Sequence, residues 1–250
     1  MRSVKQNTHV LAVVLLDLNS KPDSSTTSLT GQTMMHLLEQ KPSVTMLFFA
    51  QKDTPISVDD IAGWLQDALV DAEIESEDEQ SPGDWSTMTL FLDGGTPVVE
   101  IEKFSRQDES LTEKVEDTVR FLLDEANNVR PDSAVKWLCQ FMSRVNVLYE
   151  FRPLEAMESK DGWKIFNEVW TNLRRTLKGI VYLDEEGFTN EDGAQITLAN
   201  PAEGKGDLKV AVLEDNGEGW IEFVIDLANQ EQKELFMAGK VPGNARKSPS

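Results

Sequence analysis

The sequence predicts an α+β protein in which helices cover a mixed sheet that contains β-hairpins. Residues 10–16 and 44–50 are continuous apolar runs, which are typical of strands covered on both faces. Residues 86–101 and 208–225 each contain two apolar runs joined by turn-forming residues, a pattern typical of hairpins. Elsewhere, apolar residues recur three and four positions apart, as in amphipathic helices.

The first part of the chain alternates strands with helices. A short helix is expected over residues 30–40, between the two apolar strands. Ser57 is then in position to cap the N-terminus of a further helix, and Ile56 and Ile61 have the spacing of a hydrophobic staple. Residues 71–84 carry seven acidic side chains and no basic one, which predicts a solvated loop.

A hairpin is predicted to turn at Gly94 and Gly95. A helix follows it, for which Ser110 and Glu113 have the spacing of a capping box, and another helix is expected over residues 132–143. A two-residue loop at the glycines places two apolar pairs opposite each other on one face of the hairpin: Met88 with Ile101, and Leu90 with Val99.

The second part of the chain repeats this alternation. Residues 145–151 and 179–183 are predicted strands, and a last hairpin is predicted to turn at Asn216 and Gly217. An amphipathic helix between the two strands carries an apolar stripe, predicted to be core: Trp163, Phe166, Trp170, Leu173 and Leu177. The register of the last hairpin pairs six apolar residues on one face: Leu208 with Ile225, Val210 with Phe223, and Val212 with Ile221.

Both parts contain the order strand, helix, strand, turn, strand, which hints at an internal duplication. This order predicts an N-terminal α/β half at residues 1–104 and a C-terminal α/β half at residues 105–240. Residues 241–250 are polar and rich in Pro, Gly and Ser, so we expect a disordered tail there.

The chain is strongly acidic. Its 44 acidic and 24 basic side chains give a net charge of −20, which repels phosphate backbones and anionic lipid headgroups. Nucleic acid and membrane surfaces are therefore not expected partners, whereas a basic protein fits the field; the same charge also keeps a protein soluble without any partner. No apolar run reaches the roughly 20 residues of a membrane helix, so we expect a cytoplasmic protein.

Motifs that carry chemistry are scarce. Cys139 is the only cysteine, which excludes an intrachain disulfide, and His9 and His36 lack the spacing of a zinc site. The sequence contains no GxxxxGK[ST], GxGxxG or GxSxG motif. We therefore assign no catalytic residue and predict no cofactor.

The most acidic short motif is LDEEGFTNEDG at residues 183–193. It does not have the spacing of an EF-hand calcium loop, because the first ligand positions counted back from its glycines fall on Tyr182 and Phe188. Gly, Asp and Asn between two strands are typical of an exposed turn. We predict a turn without a structural metal, and three side chains stay candidates for weak cation binding: Asp184, Glu186 and Asp192.

Two charged clusters are candidate binding sites. One closes the helix of the aromatic stripe, where its cations complement the helix dipole or, alternatively, bind an anion: Arg174, Arg175 and Lys178. The other belongs to the predicted acidic loop, where it would steer a basic partner: Glu75, Glu77, Asp78 and Glu79.

Two functions of different classes stay open. The first is a cytoplasmic protein that acts through protein contacts, as an adaptor, inhibitor, immunity-type or chaperone-like factor. The second is a hydrolase whose acid and base groups are carboxylates, assisted by a divalent cation. An enzyme requires a pocket with convergent carboxylates, and a binding protein an exposed apolar patch with a polar rim. Oligomeric state is not predicted.

Overall fold

A computed structural model describes four stretches of the chain: residues 45–77, 81–183, 186–198 and 206–247. The strand predicted at residues 10–16 and the helix predicted at residues 30–40 lie outside the described residues. The five described helices are α1 (Val58–Asp67), α2 (Glu109–Leu123), α3 (Asp132–Met142), α4 (Lys160–Leu177) and α5 (Gln230–Met237). None of them is long and apolar enough to cross a membrane.

The chain forms two compact units that interleave along the sequence. The first, called the sheet unit, contains the described residues between 45 and 120 and residues 139–183. The second, called the hairpin unit, contains residues 121–138 and the described residues between 186 and 247. Helices and antiparallel strand pairs make both units, so the predicted α+β class is confirmed. The division into sequential halves, and their duplication, stays a prediction.

The sheet unit is built on an antiparallel sheet. Its strands are β1 (Met46–Ala50), β2 (Glu73–Glu77), β3 (Thr87–Leu92), β4 (Thr96–Ser105), β5 (Val147–Pro153) and β6 (Gly179–Leu183). They pair in the order β2-β3-β4-β5-β1-β6. Strand β1 lies between β5 and β6, and Phe48 and Phe49, which point to opposite faces, are both fully buried, as predicted for this apolar run.

Helix α4 packs its aromatic stripe on one face of this sheet. Trp170 contacts Phe48 and Phe151 with ring centroids 6.0 and 5.1 Å apart, and Phe166 contacts Phe151 at 6.0 Å. The stripe is buried except for Trp163, which is half-buried near the start of the helix. The core interpretation of the stripe is therefore confirmed.

The hairpin between β3 and β4 has the predicted register at Met88 and Leu90, which pair with Ile101 and Val99. Its loop is longer by one residue than predicted, because the pairing shifts after Leu90 and leaves Val98 as the extra residue of a β-bulge. Val98 and Val99 are both fully buried, which explains the shift. The bulge adds one more apolar side chain to the core.

Two predicted local features are wrong. Residues 73–77 of the predicted acidic loop form the strand β2, which pairs with β3 from Glu73 opposite Phe91 to Glu77 opposite Thr87. Helix α2 begins at Glu109, so Ser110 lies inside its first turn and does not cap it.

The N-terminus of α1 has the predicted cap in the form of a capping box. The Ser57 hydroxyl accepts a hydrogen bond from the Asp60 N–H at 3.1 Å, and the Asp60 carboxylate accepts from the Ser57 N–H at 2.8 Å. The Ser57 hydroxyl also donates to this carboxylate at 2.6 Å. These bonds, of which the bond to the Ser57 side chain has the largest effect, hold the pKa of Asp60 below its usual value.

Replacing Ser57 with alanine should raise the pKa of Asp60 toward its ordinary value of 3.8. A lowered pKa means that the carboxylate stabilises the fold above its ordinary pKa and that this contribution is lost as the pH falls through the lowered value. The measurement is an NMR titration of the Asp60 carboxyl carbon. Ser57→Thr, which keeps the hydroxyl, should keep the low pKa, and an unchanged pKa in Ser57→Ala contradicts the assignment.

The strands of the hairpin unit are β7 (Gly187–Thr189), β8 (Asp207–Leu213), β9 (Trp220–Asp226) and β10 (Arg246–Lys247). Three of them form an antiparallel sheet in the order β10-β9-β8, with α5 packed on it. The predicted register of β8 and β9 is confirmed at all three apolar pairs. Five of these six side chains are buried around Phe236 of α5, whereas Ile221, beside the turn, is 43% exposed.

The predicted disordered tail is ordered in part. Arg246 and Lys247 form β10, which pairs with Val224 and Phe223 of β9, and Arg246 forms an ion pair with Asp207. The polar composition of residues 241–250 suits a solvated edge strand as well as a disordered tail, so composition alone did not separate the two.

Candidate functional site

One face of the sheet unit carries a regular array of charged side chains. The strand register aligns Glu75, Thr89, Glu100 and Arg152 in one row across β2 to β5. Partner residues on neighbouring antiparallel strands point to the same face, so each row is a line of adjacent side chains. The next row consists of Glu77, Thr87, Glu102 and Glu150.

We call this surface the acidic face. It is the face opposite α4, because Phe151, which packs on α4, alternates along β5 with Glu150 and Arg152. Its strands contribute six glutamates: Glu73, Glu75, Glu77, Glu100, Glu102 and Glu150.

Arg152 joins the glutamates at the inner half of the acidic face, on β4 and β5, by ion pairs. Its guanidinium forms ion pairs with Glu100 at 2.9 Å, Glu102 at 2.8 Å and Glu150 at 3.1 Å. Glu150 is only 6% exposed and accepts a second bond from Lys114 of α2 at 2.5 Å. Burial by itself disfavours the charged guanidinium, but Glu102 and Glu150 outweigh it and hold the pKa of Arg152 above its usual value.

The outer half of the face, on β2, lacks this neutralisation. Glu73, Glu75 and Glu77 are exposed, and within the described residues no Lys or Arg forms an ion pair with them. Neutral residues of β3 separate them from β4, two strand spacings away, a distance of about 10 Å. Arg152 therefore leaves the β2 carboxylates available to charges from outside.

Strand β2 also has an open main-chain edge in the part of the chain that is described. It is the first strand of the sheet order, and β3 is its one strand neighbour there. Alternate residues of a strand direct their N–H and C=O groups to opposite sides, so one set faces outward from β2. The acidic face thus ends at a strand that is both charged and open to pairing.

An exposed apolar residue precedes this strand. Leu69 is 91% exposed and has a left-handed backbone with φ +54°, a conformation that favours glycine. It occupies the residue after the cap of α1, where the Leu69 and Val70 N–H groups bond to the carbonyls of Gln66 and Leu65. Leu69 is four residues from Glu73, at most about 14 Å along the chain.

Replacing Leu69 with glycine should preserve or raise the free energy of unfolding, by up to about 1 kcal/mol, because it removes the strain of the left-handed backbone. The matched control is Leu123→Gly, at the exposed leucine that ends α2 with a helical backbone, which should cost up to about 1 kcal/mol. Urea unfolding of both variants provides the measurement. A large loss of stability in Leu69→Gly contradicts the view that this side chain has no folding role.

The structure describes two of the four acidic residues that the sequence predicted as a binding site. Glu75 and Glu77 lie on the acidic face, whereas Asp78 and Glu79 lie outside the described residues. Sequence reasoning missed the other glutamates of the face and the role of Arg152. The available signal was the alternation EIESE at residues 73–77, which has the two-residue period of a strand with one charged side.

The described part of LDEEGFTNEDG is a turn only in part: Gly187–Thr189 form the buried strand β7. The predicted exposed turn is confined to residues 190–193, where Glu191 and Asp192 are exposed. An amide side chain holds it: Asn190, 1% exposed, accepts hydrogen bonds from the N–H groups of Asp192 and Ala194 at 3.1 and 2.8 Å. Its amide nitrogen donates to Glu222 at 3.2 Å, and Glu222 pairs with Lys209 at 2.8 Å. An amide side chain of the motif therefore holds the backbone of this turn.

The structure describes two of the three metal candidates of this motif. Asp184 lies outside the described residues, Glu186 is half-buried and Asp192 is exposed. Among the residues described, no group of three or more His, Cys, Asp or Glu side chains is arranged to hold a metal ion. Cation binding by the motif stays a sequence-based prediction.

Replacing Asn190 with alanine should cost about 1–3 kcal/mol, because two backbone N–H groups lose their acceptor and at least one of them is buried. Asp192→Asn, at the exposed carboxylate beside it, should change stability little. Thermal unfolding of both variants, with EDTA and with excess calcium, is the measurement. A large stabilisation by calcium that Asp192→Asn abolishes contradicts the turn as described.

The cationic cluster closes α4 as predicted. Arg174 lies 5.7 Å from the Trp170 ring, and Arg175 donates to Asn172 of its own helix. Lys178, with φ +51°, is the cap residue, and its N–H bonds to the Arg174 carbonyl at 2.9 Å. These contacts suit the role of completing the helix terminus. Anion binding by the cluster stays a prediction.

Cys139 does not have the setting of a catalytic thiol. It is half-buried, and burial raises the pKa of its thiol, which disfavours the thiolate that acts as a nucleophile.

Comparison of the chain with protein-family models, with curated proteins and with solved structures finds no match. The acidic face and the β2 edge are therefore interpreted from their own geometry.

Proposed function

We propose that this protein acts through protein contacts, as an adaptor, inhibitor, immunity-type or chaperone-like factor, and that it binds a basic partner at the β2 end of the acidic face. The observation that carries the proposal is the position of Glu73, Glu75 and Glu77. They point together from a strand whose outer edge is open within the described residues. Exposed, unpaired carboxylates on one side of an edge strand are complementary to a cationic surface.

The charge of the whole chain supports this choice of partner. A net charge of −20 attracts basic proteins and repels acidic ones. Among the described residues, the acidic face has six glutamates and two cations, Arg152 and Lys114, and both cations lie at its inner half. The negative electrostatic potential of the acidic face therefore increases toward β2, where we propose that the partner binds.

Leu69 supplies the apolar component of such a surface. This leucine is 91% exposed, so it contributes no hydrophobic burial to the fold, and its left-handed backbone is strained. Contact with a partner would give the side chain a role that folding does not. The alternative, a carboxylate-based hydrolase with a divalent cation, stays open, but nothing in the described residues favours it.

The test compares two triple variants that lose equal charge. The first carries Glu73→Gln, Glu75→Gln and Glu77→Gln; the control carries Asp215→Asn, Glu218→Gln and Glu231→Gln, exposed positions of the hairpin unit. A partner captured from the native cell and identified by mass spectrometry is purified and mixed with each variant in stopped flow. At low salt the β2 variant should associate about tenfold more slowly, with a flatter salt dependence.

At physiological salt, where exposed charges are screened beyond roughly 8 Å, the control variant should keep the wild-type association rate to within about twofold, and the β2 variant should still associate more slowly. Equal slowing in both variants means that only net charge matters, and the β2 site is then wrong. A captured partner that is itself acidic also contradicts the proposal.

A further inference from the structure

We propose that the partner binds as an added β-strand on the outer edge of β2, and that the segment it contributes carries Lys or Arg at alternate positions. The inference rests on the proposed function and specifies the chemistry of the partner. It concerns main-chain pairing, which contact between charged surfaces alone does not require.

The main chain of β2 provides the template. Pairing with β3 over all five residues fixes β2 in an extended conformation, with its outward N–H and C=O groups aligned. An extended segment that pairs with these groups gains main-chain hydrogen bonds without reorganising the sheet. The edge is therefore preformed for a strand.

The side chains of β2 set the pattern of that strand. A strand added to β2 lies about 4.8 Å from it, and its residues alternate between the two faces in step with those of β2. Every second residue of the added strand therefore stands beside Glu73, Glu75 or Glu77 on the acidic face. Basic side chains at three alternate positions match these three carboxylates one to one.

The intervening residues face the other side of the sheet. There β2 presents Ile74, half-buried, and Ser76, exposed. Ile74 pairs with Leu90, which is fully buried on the face that α4 covers. The intervening residues of the partner are therefore small or apolar, with an apolar residue beside Ile74.

A second copy of the chain is the wrong occupant for this edge. Pairing β2 with β2 places glutamates beside glutamates, and like charges directly opposite each other destabilise a sheet. Charged edge strands protect proteins from self-association in this way. The same charges favour a basic strand, so protection against self-pairing and selection of a basic partner come from one feature.

The experiment uses two peptides of identical composition and charge, KTKVKTK and KKKKTVT, with blocked ends. Only the first places its lysines on one side of a strand. Binding to the full-length protein is measured by calorimetry at low salt, for wild type, for the β2 triple variant and for the hairpin-unit control. We expect KTKVKTK to bind wild type and the control at least about tenfold more tightly than KKKKTVT, and this preference to vanish in the β2 variant.

Each other outcome decides the matter. If both peptides bind wild type equally and both weaken in the β2 variant, the acidic face binds basic segments but strand addition is wrong. If neither peptide distinguishes the β2 variant from the control, the proposed function fails as well. If the outward amides of β2 are protected from hydrogen exchange in the free protein, the edge is already covered, and strand addition by a partner is excluded.

Discussion

Replacing Trp170 with alanine should lower the free energy of unfolding by about 3–5 kcal/mol. The indole is 1% exposed and contacts Phe48, Phe151 and Phe166. Its removal leaves a cavity between α4 and the sheet that their packing cannot fully close. Trp163→Ala is the matched control: it makes the same chemical change on the same helix at a half-buried position, and should cost less. Urea unfolding followed by circular dichroism measures both.

A third variant separates packing from hydrogen bonding at this position. The Trp170 Nε1–H is buried and has no hydrogen-bond partner among the described residues, so Trp170→Phe removes side-chain volume but no hydrogen bond that the structure shows. It should therefore cost much less than alanine. If Trp170→Ala keeps wild-type stability, the stripe is not the core of this unit, and the packing described for α4 is wrong.

Replacing Gly162 with alanine should destabilise the protein by about 1–3 kcal/mol, although alanine is the better helix former. Gly162 lies in the first turn of α4, where its N–H donates to the capping Ser159 hydroxyl at 2.9 Å. A Cβ there would overlap the Ala156 carbonyl oxygen and lie 2.8 Å from its carbon. Since that obstacle is main chain, the helix start itself must shift.

The matched control is Gly63→Ala in α1, where an added Cβ meets nothing within 4 Å. There the gain in helix propensity should prevail and raise stability by about 0.5–1 kcal/mol. Thermal unfolding of the two variants should thus move in opposite directions. Equal shifts of the same sign contradict the close approach at Ala156.

Local and apolar patterns were the parts of the fold that the sequence predicted well. The cap at Ser57 depends on residues three apart, and both hairpin registers follow from apolar residues alternating about a short turn. The bulge at Val98 was missed because it depends on how two neighbouring valines fit the core. That fit is a property of the packed sheet and not of the turn.

The candidate site was harder to predict. The sequence predicted a loop at β2 because acidic residues have low strand propensity. The strand forms because β3 pairs with it over its whole length. Two of the three ion pairs of Arg152 join it to residues about 50 positions away, so only the register of β4 and β5 brings these residues together. The two units also interleave along the chain, which element order alone does not reveal.

The most direct test of binding at β2 is an NMR titration of the ¹⁵N-labelled protein with the peptide KTKVKTK. We predict that the largest amide shift changes fall on Glu73–Glu77, that the outward amides of this strand exchange more slowly when the peptide is bound, and that the hairpin unit stays unchanged. Shift changes spread over the acidic residues of both units, with none concentrated on β2, would contradict a binding site at this edge.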